Sequence, residues 1–367
     1  MQKNILILWL GAFGFAVAKH LGENNPELTI YASEINNEIY SSISETRTHP
    51  YFFEGIKLPS NIELVANTQD FLPNVDIIIS IIPCQFVGGA FDSMKTHLKS
   101  WVTILNLSKW IDNTSMQTVS EKLSEIFISP QSSPREEVAT KLPSLGEGLG
   151  ESFSYTYAYL AGGMIAEELA SRNMLWADIV CEDFDTWSIL QKLFLSDCLD
   201  INLKIGATKN TELYAALKNI IALILWYYEW KWVGASSRWY YFAKLLEEIK
   251  WVITLLSSPQ SSLRDEVTAN LLPSHGEGLR ERFDFTDYAL SWDLIATCFG
   301  ASRNRYLWTM LWKWVAIQDA LWELKEQKKI AEWFETLKWV YPLTQWKAGF
   351  EEINNFGKKY ISVVAAV

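Results

Sequence analysis

An apolar run from Asn4 to Leu8, a turn with glycine at 11 and 14, and a stretch of small helix-forming residues from Ala12 to Leu21 open this chain of 367 residues. A buried strand that hands over to a helix through a glycine turn is the first half of a parallel βαβ unit. After Gly22 to Pro26 comes a second short β-type run, Leu28-Thr29-Ile30-Tyr31, which leads to Glu34, twenty residues past Gly14. At that spacing a dinucleotide fold places the acid that binds a ribose hydroxyl. The first 20 residues also have the outline of a secretory signal peptide: a lysine, an apolar stretch from Ile5 to Ala18 and the small-residue close Ala16-Val17-Ala18. The second run and the acid behind it favour the folded reading.

The glycine loop is incomplete. Its pattern, GxGxxG, is met by Trp9-Leu10-Gly11-Ala12-Phe13-Gly14. The first glycine of such a loop makes the tight turn out of the strand, and the second lets the backbone approach a pyrophosphate at the helix N-terminus. An indole at the first position should obstruct that turn. The chain has 18 tryptophans, as many as its glycines, although glycine alone ordinarily makes up roughly 7% of a protein.

Apolar runs at Val75 to Ile82 and Val102 to Leu107, separated by a helix-like stretch from Phe86 to Lys99, continue the alternation of strand and helix. From Thr211 onward helical periodicity takes over: Glu212 to Tyr228, Tyr240 to Leu256 and much of Tyr306 to Lys338. The expected architecture is therefore α/β, with an N-terminal Rossmann-type, doubly wound domain over 1–208 followed by a mainly α-helical substrate domain over 209–367. Each carries one copy of a repeated polar segment, Ser129 to Glu151 and Ser258 to Glu281. Both are rich in Ser, Pro and Gly and read as inserted surface loops. Ile220 to Tyr228 is too short to span a bilayer, which takes about 20 residues, and reads as a buried helix.

Composition narrows the function. With 49% apolar and 20% charged residues the chain is of the soluble globular class. A net charge of −11, with scattered Lys and Arg, argues against a nucleic-acid partner. Cys84, Cys181, Cys198 and Cys298 lie far apart without a CxxC pair, so neither a zinc site nor a disulfide framework is indicated, and a reducing cytoplasm is the expected compartment.

With the two repeated segments set aside, the remainder resembles the NAD(P)-dependent glycerol-3-phosphate dehydrogenases along nearly its whole length. The resemblance is carried by the loop Trp9 to Gly14, by Ile82-Pro83, by Ser108-Lys109-Trp110, which is similar to the family's Thr-Lys-Gly, and by Leu217-Lys218-Asn219-Ile220-Ile221-Ala222. Trp292-Asp293-Leu294-Ile295-Ala296-Thr297 resembles its Gly-Asp-Leu run, and Ser302-Arg303-Asn304-Arg305 its phosphate-gripping Arg-Asn pair. Ala161-Gly162-Gly163 departs from it, standing where the family has Ser-Gly-Pro. Most tryptophans stand where the family carries glycine: Trp9, Trp110, Trp226, Trp230, Trp232, Trp292, Trp308, Trp312 and Trp333. The resemblance thus implies that a codon read as glycine in the source cell, UGA being the candidate, is rendered here as tryptophan. Genuine indoles packing an aromatic-rich helical domain are the alternative.

The activity implied is reversible hydride transfer between a nicotinamide and C2 of dihydroxyacetone phosphate, giving sn-glycerol 3-phosphate for glycerophospholipid synthesis in the cytoplasm. Reducing a ketone builds negative charge on its oxygen, so a cationic proton donor must stand beside it. The resemblance assigns that role to Lys218, with Lys109 and Asn219 orienting and polarising, and Asp293 and Thr297 completing the network. It gives the substrate phosphate to Arg303, a planar bidentate cation, and to the Asn304 amide. Trp9, Gly11, Ala12, Phe13, Gly14, Glu34, Pro83, Lys109 and Glu332 are the expected cofactor contacts. Glu34, with no adjacent arginine, favours NAD, with NADP admissible. The expected partner is a small phosphate ester, with no nucleic acid and no membrane span; a homodimer is compatible. Two other readings stay open: a dinucleotide-binding relic without turnover, and a related reductase of another 2-hydroxy acid.

Overall fold

The computed structural model describes residues 3–109, 111, 117–127, 153–206, 208–231, 233–257, 288–299, 309–310, 313, 315, 319–320, 322–323, 332–345 and 347–364. Both repeated segments, Arg303 and Asn304 lie outside the described residues.

Eight strands form one sheet: β1 (Ile5–Leu8), β2 (Ile30–Ser33), β3 (Ile62–Leu64), β4 (Ile77–Ser80), β5 (Val102–Asn106), β6 (Tyr155–Ala161), β7 (Leu175–Cys181) and β8 (Leu199–Ile205). Among them run helices α1 (Ala12–Asn24), α2 (Asn37–Thr46), α3 (Cys84–Met94), α4 (Val119–Phe127), α5 (Ala166–Ala170) and α6 (Phe184–Phe194). Beyond the sheet follow α7 (Thr208–Trp230), α8 (Ala235–Ser257), α9 (Tyr288–Phe299), α10 (Glu332–Thr344) and α11 (Glu351–Val364). The sheet order is β3-β2-β1-β4-β5-β6-β7-β8, parallel throughout except for the antiparallel β6–β7 pair. The chain reverses its direction of winding between β1 and β4, and at that switch point the strand ends diverge and leave a crevice.

The first strands are buried on both faces, as their unbroken apolar runs require. Ile5, Ile7, Ile77, Ile79 and Leu105 point into one core with α1 and α6, while Leu6, Leu8, Ile78 and Ile104 point the other way, against α3 and α4. Tyr159, Ala161 and Val180 of the later strands share a third core with α7, α8, α9, α10 and α11. Its axis is α7, buried on all sides from Thr211 to Tyr227. A helix apolar all round belongs in the centre of a bundle. The architecture is the expected one, a doubly wound sheet followed by helices. No described helix is long and apolar enough to cross a membrane, and the four cysteines are free thiols.

Candidate active site

The glycine turn lies at the switch point. Trp9 leaves β1 with its N–H on the Ser33 carbonyl (3.0 Å), and Gly11 is the N-cap of α1. Trp9 has a φ of 80°, the left-handed region that suits glycine and strains an indole. Its ring stacks on Phe86 at 6.1 Å, and its Nε1 lies 3.1 Å from where a Cβ on Gly11 would stand. A Cβ on Gly14 would stand 2.0 Å from the Trp9 carbonyl oxygen, so only glycine fits there. The backbone therefore has the shape of a phosphate cradle, and the indole stands beside its mouth. Glu34, just beyond β2, is buried and bridges the glycine loop to the start of α2: Oε2 accepts from Leu10 N–H and Oε1 from Asn36 N–H, both at 2.8 Å. Each oxygen retains a second acceptor site for a ribose hydroxyl. Pro83 caps α3 after β4, and Ala12 and Phe13 form the first turn of α1, whose N–H groups lack helical partners.

At the same, C-terminal end of the parallel strands β1, β4, β5 and β6, the later strands and α7 bring the predicted cations together. Lys218 is buried, and its Nζ donates to Asp293 Oδ2 on α9. Lys109, just beyond β5, lies 3.8 Å from the same oxygen and donates to the Gly162 carbonyl at 2.7 Å. Gly162, at the end of β6, has a φ of 146°, and a Cβ there would meet the Trp176 carbonyl at 2.8 Å. One carboxylate thus serves two ammonium groups drawn from opposite halves of the chain. Burial, reinforced by the Lys109 charge, holds Lys218 well below the ordinary lysine range. A lysine so lowered gives up its proton more readily than an exposed one.

Not every predicted residue joins this cluster in the way expected. Asn219 is buried on α7 next to Lys218. Thr297 turns its hydroxyl back to the Asp293 main-chain carbonyl (2.6 Å), one helical turn away, and so braces the backbone that carries the acid. Glu332 is the first residue of α10, and its side chain lies outside the described residues. Of the tryptophans set against glycine, Trp9 does not prevent the turn, which forms with its φ at 80°, a conformation that suits glycine. Trp226 is buried in α7 and donates from Nε1 to the Cys298 carbonyl at 2.6 Å.

Sequence reasoning missed Glu212, a turn and a half before Lys218. It is buried, and four donors converge on it: Asn106 Nδ2 (3.3 Å) and the Tyr157 hydroxyl on Oε1, the Ser120 N–H (3.4 Å) and hydroxyl on Oε2. Burial outweighs those donors and pushes its carboxyl up to about 7. A signal was present, since Glu212 and Lys218 are the only charged residues between Thr211 and Tyr227.

Residues 4–144 match the family described as NAD-dependent glycerol-3-phosphate dehydrogenase N-terminus. The chain is 25% identical over 315 residues to the human cytoplasmic glycerol-3-phosphate dehydrogenase [NAD(+)], covering 83% of this chain and 77% of the relative. Against the glycerol-3-phosphate dehydrogenase [NAD(P)+] of an Exiguobacterium strain it is 26% identical over 222 residues, 60% of this chain and 58% of the relative. In fold it is similar to the glycerol-3-phosphate dehydrogenase crystal structure from Coxiella burnetii, with a TM-score of 0.70 at 16% identity over 94% of this chain and 90% of that one. The Plasmodium falciparum enzyme superimposes with a TM-score of 0.71 at 19% identity, over 96% and 88%.

Proposed function

We propose that this chain is a member of the NAD-dependent glycerol-3-phosphate dehydrogenase family, whose N-terminal model residues 4–144 match, and that it interconverts dihydroxyacetone phosphate and sn-glycerol 3-phosphate in the cytoplasm, supplying glycerophospholipid synthesis. The observation that carries this reading is the buried Lys218–Asp293 pair with Lys109 beside the same carboxylate oxygen. A ketone oxygen set against it meets two cations, one of them poised to release a proton.

The residues present fit a dinucleotide: a glycine turn at the switch point, a helix N-terminus behind it and an acid just beyond β2. Gly11, Ala12, Phe13, Gly14 and Glu34 would hold it, and when bound it supplies the hydride. Lys218 Nζ delivers the proton to the forming alkoxide and recovers it in the reverse direction. Asp293 keeps both ammonium groups at one point, so their charges act on the same oxygen atom. Lys109, tied to the Gly162 carbonyl, stabilises the developing charge, and Asn219 orients the substrate. Arg303 and Asn304 belong to this proposal as the phosphate grip, as does assembly into a homodimer.

The test is oxidation of NADH by the purified chain with and without dihydroxyacetone phosphate, followed by absorbance. Substrate-dependent turnover that disappears in Lys218→Met supports the reading; turnover indifferent to the phosphate ester sinks it. The Trp9 indole beside Gly11 favours a second reading, a chain that folds and binds the dinucleotide without turnover. Quenching of tryptophan fluorescence by NADH in the absence of any reaction would carry that one.

A further inference from the structure

Glu212 is a buried carboxylate that the mechanism above does not use, yet its four donors come from three different elements and the turns that serve the site. Asn106 closes β5, Ser120 opens α4 and Tyr157 lies in β6. Asn106 carries the contact onward: its Oδ1 accepts from Ser108 N–H at 3.0 Å and its Nδ2 also donates to the Ser108 carbonyl at 3.3 Å. The Ser108 hydroxyl donates to the Ile82 carbonyl, directly before Pro83. The next residue is Lys109. Tyr157 stands five residues before Gly162, whose carbonyl receives the Lys109 ammonium. On the other side Glu212 belongs to α7, two turns before Asn219 and on the same helical face, since seven residues advance a helix by roughly two full turns.

We propose that Glu212 is a positioning residue for the reaction: it pins the turn that aims Lys109 to the helix that carries Lys218 and Asn219. The chemistry suits the task above about pH 7, where the ionised carboxylate offers roughly four acceptor sites and no donor. Each Glu212 oxygen takes two donors. A glutamine in its place retains one such oxygen and turns an NH2 against the other two donors. The pin matters because Lys109 and Lys218 come from distant parts of the chain and must meet one oxygen of Asp293.

This inference rests on the dehydrogenase reading for its kinetic arm only. Glu212→Gln is compared with the wild-type chain by turnover at saturating NADH and dihydroxyacetone phosphate, by NADH affinity, and by hydrogen exchange. The expected result is a kcat lower by roughly tenfold to a hundredfold, the effect of a misplacement of about an ångström. NADH affinity falls less than kcat, because Gly11, Ala12, Phe13, Gly14 and Glu34 are outside the pin, whereas the Lys109 turn is held by it. Exchange at residues 106–109 and 119–122 rises roughly tenfold, as loss of about one hydrogen bond implies, with the rest of the chain unchanged. Unchanged exchange in that region overturns the proposal, whatever kcat does, and so does a rise spread over the whole molecule. If Glu212→Gln does not fold, Ser120→Ala and Tyr157→Phe each remove one donor and leave the carboxylate. Local exchange must rise in both, and wild-type exchange in both overturns the pin. A wild-type chain that fails to turn over dihydroxyacetone phosphate rejects the dehydrogenase reading, while the exchange result still judges Glu212.

Discussion

Trp9 holds a glycine's backbone conformation, and the energetics of relieving it can be set side by side. A non-glycine residue at positive φ costs about 1–3 kcal/mol. Replacement by glycine gives up about 0.5–1 kcal/mol of chain entropy and the Phe86 stacking, worth about 0.5–1.5 kcal/mol. These terms nearly cancel, so Trp9→Gly should leave the denaturation midpoint almost unmoved while tightening NADH binding, because the indole leaves the mouth of the cradle. Trp226 is the opposite case. Its indole is buried and hydrogen-bonded to Cys298, and Trp226→Gly should cost at least about 3–5 kcal/mol in a urea titration. If the protein isolated from its own cells carries glycine at both positions by peptide mass, only the first change will be neutral when introduced alone. Lys218→Met should lower kcat by at least roughly a hundredfold. It should also lower stability, by less than the about 3–5 kcal/mol of a fully orphaned buried charge, since Asp293 loses its nearer ammonium and keeps only Lys109 at 3.8 Å.

At the scale of elements, the helical half contains a carboxylate that caps another helix from a distance. Glu248, buried in α8, accepts from the Glu352 and Ile353 N–H groups, both at 2.9 Å, and so caps the start of α11. Burial pushes Glu248 up to about 7 despite those bonds, as it does Glu212. A carboxyl raised above its unfolded value binds its proton more tightly when folded. Its contribution is therefore complete below the unfolded pKa near 4.5 and is lost as pH rises through about 7. The chain should thus lose stability between about pH 5 and about pH 8, and Glu248→Gln should flatten that slope; urea midpoints at the two ends are the check. The elements legible in the sequence were those with clear apolar or periodic runs, namely β1, α1, β2, β4, α3, β5, α7 and α8. β7 is interrupted by the buried Asp178, and β8, an edge strand, by Asp200 and Lys204, whereas β6 escaped notice although its Tyr-Thr-Tyr-Ala-Tyr run is of β type. The antiparallel turn of β7 against β6 has no local signature at all.

The whole molecule has one consequence for stability. Tyr159, Ala161 and Val180 of the sheet lie in the same core as α7 to α11, so the two halves share buried apolar surface and should unfold together. Tryptophan fluorescence and far-ultraviolet circular dichroism should give coincident transitions in urea; two separated transitions would contradict a common core. The sequence by itself determined the strand–glycine turn–helix opening, the change from β to α periodicity and the residue types fit for the chemistry, because these rest on neighbours along the chain and on side-chain identity. It also placed Lys218, Lys109 and Asp293 in separate motifs. Only the tertiary structure decided that their charged ends meet at one carboxylate oxygen and that Glu212 ties β5, α4 and β6 to α7. Those contacts span 75 to 106 residues in the pairs Lys218–Asp293 and Asn106–Glu212, and the geometry of a pair so far apart is set by how the sheet and helices pack, which no local pattern encodes.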